Sequence, residues 1–243
     1  MGKALWAIFA HKDSKMFWQW ADRVDFVDKL IIKNHMHHEA HQVGMKYFFD
    51  HPEYDYYIIS TDDALGTPYH IRLLLEDAKE HKFPIISGWC SIDPQKNGLA
   101  ALTVKPCHPN VAKTRKVLPY GYHFIPIKDV LVGKHGYPFI KAWFNGNTLN
   151  LVRRETLKRV PYHPFKRQRD GLCITPQTKE KGRGVMFDLQ FALDCAKAGI
   201  SIMVDTRVFL LHARTKRRSK VGRAKREVQF VKAEETIRDH GDE

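Results

Sequence analysis

The sequence predicts a single α/β domain, a mixed and mostly parallel central sheet flanked by helices. Three observations carry this expectation. Apolar runs of strand length alternate with helical stretches over the first ninety residues. The first run, Ala4–Ala10 (ALWAIFA), is apolar throughout, as a strand buried on both faces must be. With 243 residues, 43% of them apolar and 12% aromatic, the chain can fill one sizeable core, which excludes bulk disorder.

After Ala4–Ala10, helical character is expected over Lys15–Val24 and a second strand at Asp28–Lys33. Glu39–Phe49 has helical periodicity through Val43, Tyr47 and Phe48, and His51-Pro52 stops it. A third strand, Tyr54–Ser60, closes on Thr61-Asp62-Asp63. Thr67-Pro68 opens a helix carried by Ile71, Leu74, Leu75 and Ala78, because proline fits the first turn. Phe83–Ser87 makes a fourth strand. Asn97-Gly98 is a hairpin signal, and 106–140, rich in Pro, Gly and His, reads as a loop-rich excursion. Asn147–Arg154 returns to alternation and leads into a short helix, Glu155–Arg159. Residues 161–184 form a long polar connection, of the length that is functional or disordered in a compact domain. Phe187–Ala198 is an amphipathic helix with Gly199 as its terminator, followed by strands Ile200–Asp205 and Val208–Ala213. Glu227–Asp239 has weak helical character. The body, 1–213, is separated on this reading from a basic tail or helix, 214–243.

Net charge is +13, and eight of the thirteen residues 214–226 are Arg or Lys with no acid among them. An anionic partner is therefore expected. The segment suits an anionic membrane surface or a diphosphate; nucleic acid is a weaker match, since no aromatics interleave for base stacking. Cys90, Cys107, Cys173 and Cys195 form no C-x-x-C pair, which argues against a disulfide framework or an all-cysteine zinc site. No apolar run reaches the roughly 18 residues of a membrane span. The expectation is a soluble, cytoplasmic protein, peripheral to a membrane through its basic tail.

Adjacent carboxylates at the end of a strand, Asp62 and Asp63, repel each other unless a cation lies near, and Mg²⁺ or Mn²⁺ holding a diphosphate is a natural occupant. The competing reading is that one of them caps the next helix. His212 ends an apolar strand, as an edge residue or as a ligand. Asp188 lies in the first turn of a helix, where the dipole alone favours a carboxylate. His35, His37, His38 and His41 form a cluster in which His37 and His41 share a helical face, as zinc ligands can; solvated polar residues of a first turn are the alternative.

Taken in order, Thr61-Asp62-Asp63, Gly88, Asn145-Gly146 through Arg153-Arg154, Phe187-Asp188, Gly199, Asp205 and Val208–His212 resemble a GT-A-fold (Rossmann-like) glycosyltransferase of the family-two-like superfamily. The resemblance covers residues 4–213. It implies that Asp63, with Asp62 and His212, holds Mn²⁺ or Mg²⁺ at a D-x-D-like motif. It implies a donor, a UDP- or GDP-sugar, lined by Ala10, His11, His41, Asp62, Gly88, Asn145 and Gly146. Asp188 would be the base that deprotonates the acceptor hydroxyl of a glycan, lipid or protein and inverts the anomeric centre, with 161–184 closing over the donor. Two positions depart from the pattern: Thr61 stands where the motif's first acid is usual, and Phe187 where a Glu precedes the base. The second reading is a nucleic-acid-binding protein using 214–226, or a GT-A-like nucleotidyltransferase. The latter usually carries a Gly-rich loop after the first strand, where this chain has His11-Lys12-Asp13-Ser14.

Overall fold

The structure is a computed structural model describing residues 2–11, 14–35, 37–91, 98–105, 124–162, 187–212 and 227–233, without the side chains of His38, Phe187 and Leu189. The basic segment 214–226, the connection 163–186 and Asn97 lie outside them.

Strand β1 (Lys3–Ala10) is the axis of the molecule. Ala4, Trp6, Ile8 and Ala10 pack into one apolar cluster and Leu5, Ala7 and Phe9 into the other, so both sheet faces are covered. Strands β2 (Asp28–Lys33) and β3 (Tyr54–Thr61) flank β1 in parallel on either side. Beyond β3 come β10 (Leu149–Arg153), antiparallel to both its neighbours, then β5 (Ile85–Cys90) and, parallel to it, β11 (Ile202–His212). Two short strands, β4 (Ala64–Leu65) and β8 (Phe139–Ala142), run antiparallel to β11. At the other end β12 (Glu227–Val231) pairs antiparallel with β2. The nine-stranded sheet is thus mixed, with β1, β2, β3, β5 and β11 pointing one way. A small sheet is built from β6 (Leu99–Thr103), β7 (Phe124–Pro126) and β9 (Phe144–Asn145).

Helices α1 (Lys15–Ala21) and α3 (Pro68–Glu80) cover one face, through Phe17, Trp20, Ile71 and Leu74. Helices α2 (His37–Asp50) and α6 (Phe187–Lys197) contribute Phe48, Phe191 and Cys195 to the other, with α5 (Arg154–Arg159) adding Leu157 and α4 (Ile127–Leu131) adding Val130. Pro68 occupies the first turn of α3 behind Thr67, as expected. Helix α6 ends as its sequence predicts: Gly199 has φ +67°, its N–H donates to Ala196 O, and Ile200 N–H donates to Cys195 O.

Four expectations are corrected. Residues 202–212 form one strand, β11, where two were expected; its pairing with β5 is irregular between Val204 and Phe209, because Asp205 Oδ1 turns back to accept from Arg207 N–H at 2.9 Å. Residues 227–231 form a strand rather than a helix, since β2 offers an open edge. The fourth strand extends to Cys90, which puts Gly88 in its interior. Neither Asp62 nor Asp63 caps α3, whose N-cap is Thr67. Among the described residues, no helix is long and apolar enough to cross a membrane.

Candidate functional site

The strands that point one way bring their carboxyl ends to one rim, and β1 has β2 on one side and β3 on the other. A crevice at such a branch point is where open α/β sheets bind ligands. Ala10 and His11 stand at the end of β1, and the Asp62 N–H donates to Phe9 O across to it at 3.2 Å.

Past Thr61 the chain turns, and Asp62 and Asp63 lie in that turn rather than in β3. Asp62 is 1% exposed. Asp63 stays at the surface of the rim, where Thr61 Oγ1 donates to its Oδ1 at 2.5 Å. The turn leads into β4, where Ala64 pairs with His212. This crossing carries Asp63 over the ends of β10 and β5 to the end of β11, and His212 Nε2 lies 3.2 Å from Asp63 Oδ2. Two residues 149 positions apart in the chain meet there.

Beneath this pair lie Cys90, at the end of β5, and Thr148, just before β10; Cys90 Sγ is 3.2 Å from Thr148 Oγ1. Burial, with a further push from the Asp63 charge, raises the Cys90 thiol to about 11, so it stays protonated and unreactive. Thr148 Oγ1 donates in turn to Gly146 O at 3.1 Å. Gly146 leads to Asp188: a Cβ at position 146 would sit 4.0 Å from Asp188 Oδ2. Helix α6, which holds half-buried Asp188 in its first turn, packs on β9, the strand ending at Asn145. A continuous set of neighbours therefore runs from His212 and Asp63 through Cys90, Thr148 and Gly146 to Asp188.

Asn145 is the strut of this arrangement. It is 3% exposed, and its Nδ2 donates to Ser87 Oγ at 2.6 Å and Gly88 O at 3.0 Å, tying β9 to β5. Gly88 is needed for a close approach. A Cβ there would lie 2.6 Å from Val208 Cγ1 and 2.8 Å from Val208 O, so the position belongs to the β5–β11 contact rather than to an open donor cleft.

His41 does not reach the rim as a phosphate contact. Its ring is packed 4.6 Å from Phe9 and 4.6 Å from Tyr162, which itself stacks on Phe191. Burial, helped by His37, lowers its pKa to about 3, so the imidazole is neutral and has no charge to offer. His37 stacks on His11 with ring centroids 4.5 Å apart, and His35 Nδ1 is 2.9 Å from Lys33 O. Among the described residues no three His, Cys, Asp or Glu side chains are grouped to hold a metal ion, whether in this histidine cluster or around Asp63. The expected triad of Asp62, Asp63 and His212 does not form: Asp62 is buried, and His212 meets Asp63.

The remaining pair still fits a divalent cation. Adjacent ligands of an octahedral ion at ~2.1 Å stand roughly 3.0 Å apart. Asp63 Oδ2 and His212 Nε2, at 3.2 Å, are close to that spacing. A carboxylate and an imidazole are a borderline-hard donor set, suited to Mn²⁺, with phosphate oxygens and water completing the shell.

Sequence reasoning missed the Arg153-Arg154 clamp. The Arg154 guanidinium donates to Tyr54 O, Phe48 O and His51 O, while Arg153 reaches Phe83 O at 2.9 Å and Ala78 O. These arginines satisfy carbonyls at the carboxyl ends of α2 and α3, away from the rim. The clue was positional: Arg153 ends a strand that pairs with β3, and Arg154 follows it directly.

No protein-family model matches the chain, and no curated protein sequence does. Among solved structures, the chain is similar to A197 from STIV, with a TM-score of 0.50 at 10% identity over 92% of this chain and 98% of that one. That likeness is one of fold. More distant are a CMP:2-keto-3-deoxy-manno-octonic acid synthetase complexed with CTP, with a TM-score of 0.38 at 11% identity over 86% and 90%. A Drosophila β-1,4-galactosyltransferase 7 variant complexed with manganese, UDP-Gal and xylobiose gives a TM-score of 0.38 at 13% identity over 91% and 75%.

Proposed function

We propose that this protein is a metal-dependent glycosyltransferase that moves a sugar from a nucleoside-diphosphate donor to an acceptor hydroxyl. The observation that carries this reading is the contact between Asp63 and His212 at the carboxyl rim, with Asp188 on the same rim beyond Gly146. Asp63 and His212 would hold Mn²⁺ or Mg²⁺, which when bound offsets the charge that builds on the departing diphosphate. Ala10 and His11, at the end of β1, stand where a nucleoside would be received. Asp188 is half-buried. In this reading it accepts the proton of the acceptor hydroxyl as the oxygen attacks, inverting the anomeric centre. In this reading Gly146 and the buried, hydrogen-bonded Thr148 and Cys90 support the site from beneath and take no part in the transfer.

A thermal-shift screen of UDP, GDP, CDP and ADP, each with and without Mn²⁺, tests donor class and metal use together. One diphosphate should raise the melting temperature, and only with Mn²⁺. Asp188→Asn should retain that shift while losing release of nucleoside diphosphate from the matching nucleotide-sugar. No shift with any diphosphate overturns the reading, and loss of both shift and turnover in Asp188→Asn overturns the role of Asp188.

A further inference from the structure

Thr61 lies two positions before Asp63 and hydrogen-bonds to it across the turn that follows β3. It lies at the end of β3, register-locked opposite Phe9 of β1, so its backbone position is set by the centre of the sheet. Its hydroxyl donates to one oxygen of Asp63, Oδ1, at 2.5 Å, while the other, Oδ2, faces His212 at 3.2 Å. The two carboxylate oxygens thus have separate duties. One is anchored, and the plane of the carboxylate is fixed with the other turned toward His212.

We infer that Thr61 is a positioning residue for the cation site: its hydroxyl holds the Asp63 carboxylate so that Oδ2 and His212 Nε2 present themselves together to one divalent ion. This inference rests on the transferase reading given above. The physical need for such an anchor follows from the loss of the expected triad. With Asp62 turned into the core, Asp63 is the carboxylate that faces His212 among the described residues, and rotation about its terminal torsion would leave it misaligned part of the time. The hydrogen bond from Thr61 to Oδ1 restricts that rotation and adds no charge.

The test is Mn²⁺ binding by electron paramagnetic resonance titration, on the full chain, in the presence of UDP and separately of GDP. Thr61→Val keeps the shape and deletes the donor, Thr61→Ala is a second deletion should the valine variant fold poorly, and Thr61→Ser keeps the hydroxyl. Loss of an orienting partner behind a metal ligand costs about 10- to 100-fold in metal affinity, so Thr61→Val and Thr61→Ala should weaken Mn²⁺ by that factor and Thr61→Ser by about twofold at most. Melting temperatures in EDTA should be the same for all four proteins, which a merely structural role would not give. Mn²⁺ affinity in Thr61→Val within about twofold of wild type, or equal losses in the valine and serine variants, overturns the inference and leaves the transferase reading standing. Absence of Mn²⁺ binding to the wild type with either diphosphate overturns both.

Discussion

At the scale of single residues, two buried groups pull the pH dependence of stability in opposite directions. Asp77 of α3 is buried against Asp205 and Arg207, with Arg207 Nη2 donating to Asp77 Oδ2 at 2.7 Å. Burial, reinforced by hydrogen bonding with Asp205, raises the Asp77 pKa to about 6. The folded state therefore holds this proton more tightly than the unfolded chain does. Its contribution is present at low pH and is lost as pH rises from the ordinary carboxylate range through about 6. His41, held near 3 by burial, does the reverse: the unfolded chain takes up the proton first, so stability falls as pH drops below the ordinary histidine value of 6.5. Urea midpoints at pH 7 and pH 5 should accordingly show a steeper acid loss for Asp77→Asn than for wild type, and a shallower one for His41→Phe. Equal slopes in all three would contradict both assignments.

At the scale of an element, α2 carries a glycine in its interior that looks like a weakness. Gly to Ala inside a helix normally stabilises by about 1 kcal/mol. Here a Cβ at Gly44 would lie 2.1 Å from the Tyr57 hydroxyl of β3, so the helix sits as close to the sheet as it does because position 44 has no side chain. Gly44→Ala should destabilise by about 1–3 kcal/mol, as overpacking does. Tyr57→Phe should by itself be near neutral, since the buried hydroxyl has no hydrogen-bond partner among the described residues. In the Tyr57→Phe background the nearest remaining atom is Cζ at 3.3 Å, and Gly44→Ala should lose most of its cost. A double-mutant cycle by chemical denaturation reads this coupling directly. The same element-level logic explains Arg153 and Arg154: strand β10 delivers them to the ends of α3 and α2, where free carbonyls need donors.

At the scale of the molecule, β12 closes one edge of the sheet. It covers Lys29–Lys33 of β2 in register, sets Phe230 5.3 Å from Tyr47, and is followed by Ala233, whose N–H donates to Asp28 Oδ1 at 2.7 Å. Without it β2, with Leu30, Ile31 and Ile32 in sequence, becomes an exposed apolar edge. Truncation before Glu227 should lower the melting temperature and promote concentration-dependent aggregation, seen by light scattering; an unchanged melting temperature would show the strand to be dispensable. The placement also bears on the basic stretch. His212 ends β11 at the carboxyl rim, and Glu227 begins β12 opposite Lys33, the last residue of β2 at the same rim, so both flanks of 213–226 are anchored on the side of the candidate site.

Most of the elements were legible because their signals are local. An unbroken apolar run means a strand covered on both faces, Thr67-Pro68 starts a helix, and Gly199 stops one through its left-handed backbone. The type and order of the site residues were legible too, since Asp63, Asp188 and His212 all sit at element ends. Strand register was not. Whether Asp62 or Asp63 turns outward depends on the turn that joins β3 to β4 and on the pairing of β4 with β11, whether Gly88 lines a cleft or a strand contact depends on how closely Val208 approaches, and whether His41 is a charged ligand or a neutral core ring depends on Phe9 and Tyr162. Sequence alone determined which chemistry could be assembled, because residue identity and local period are written along the chain. Tertiary structure alone decided which side chains meet, because that is set by pairings between residues far apart in the chain.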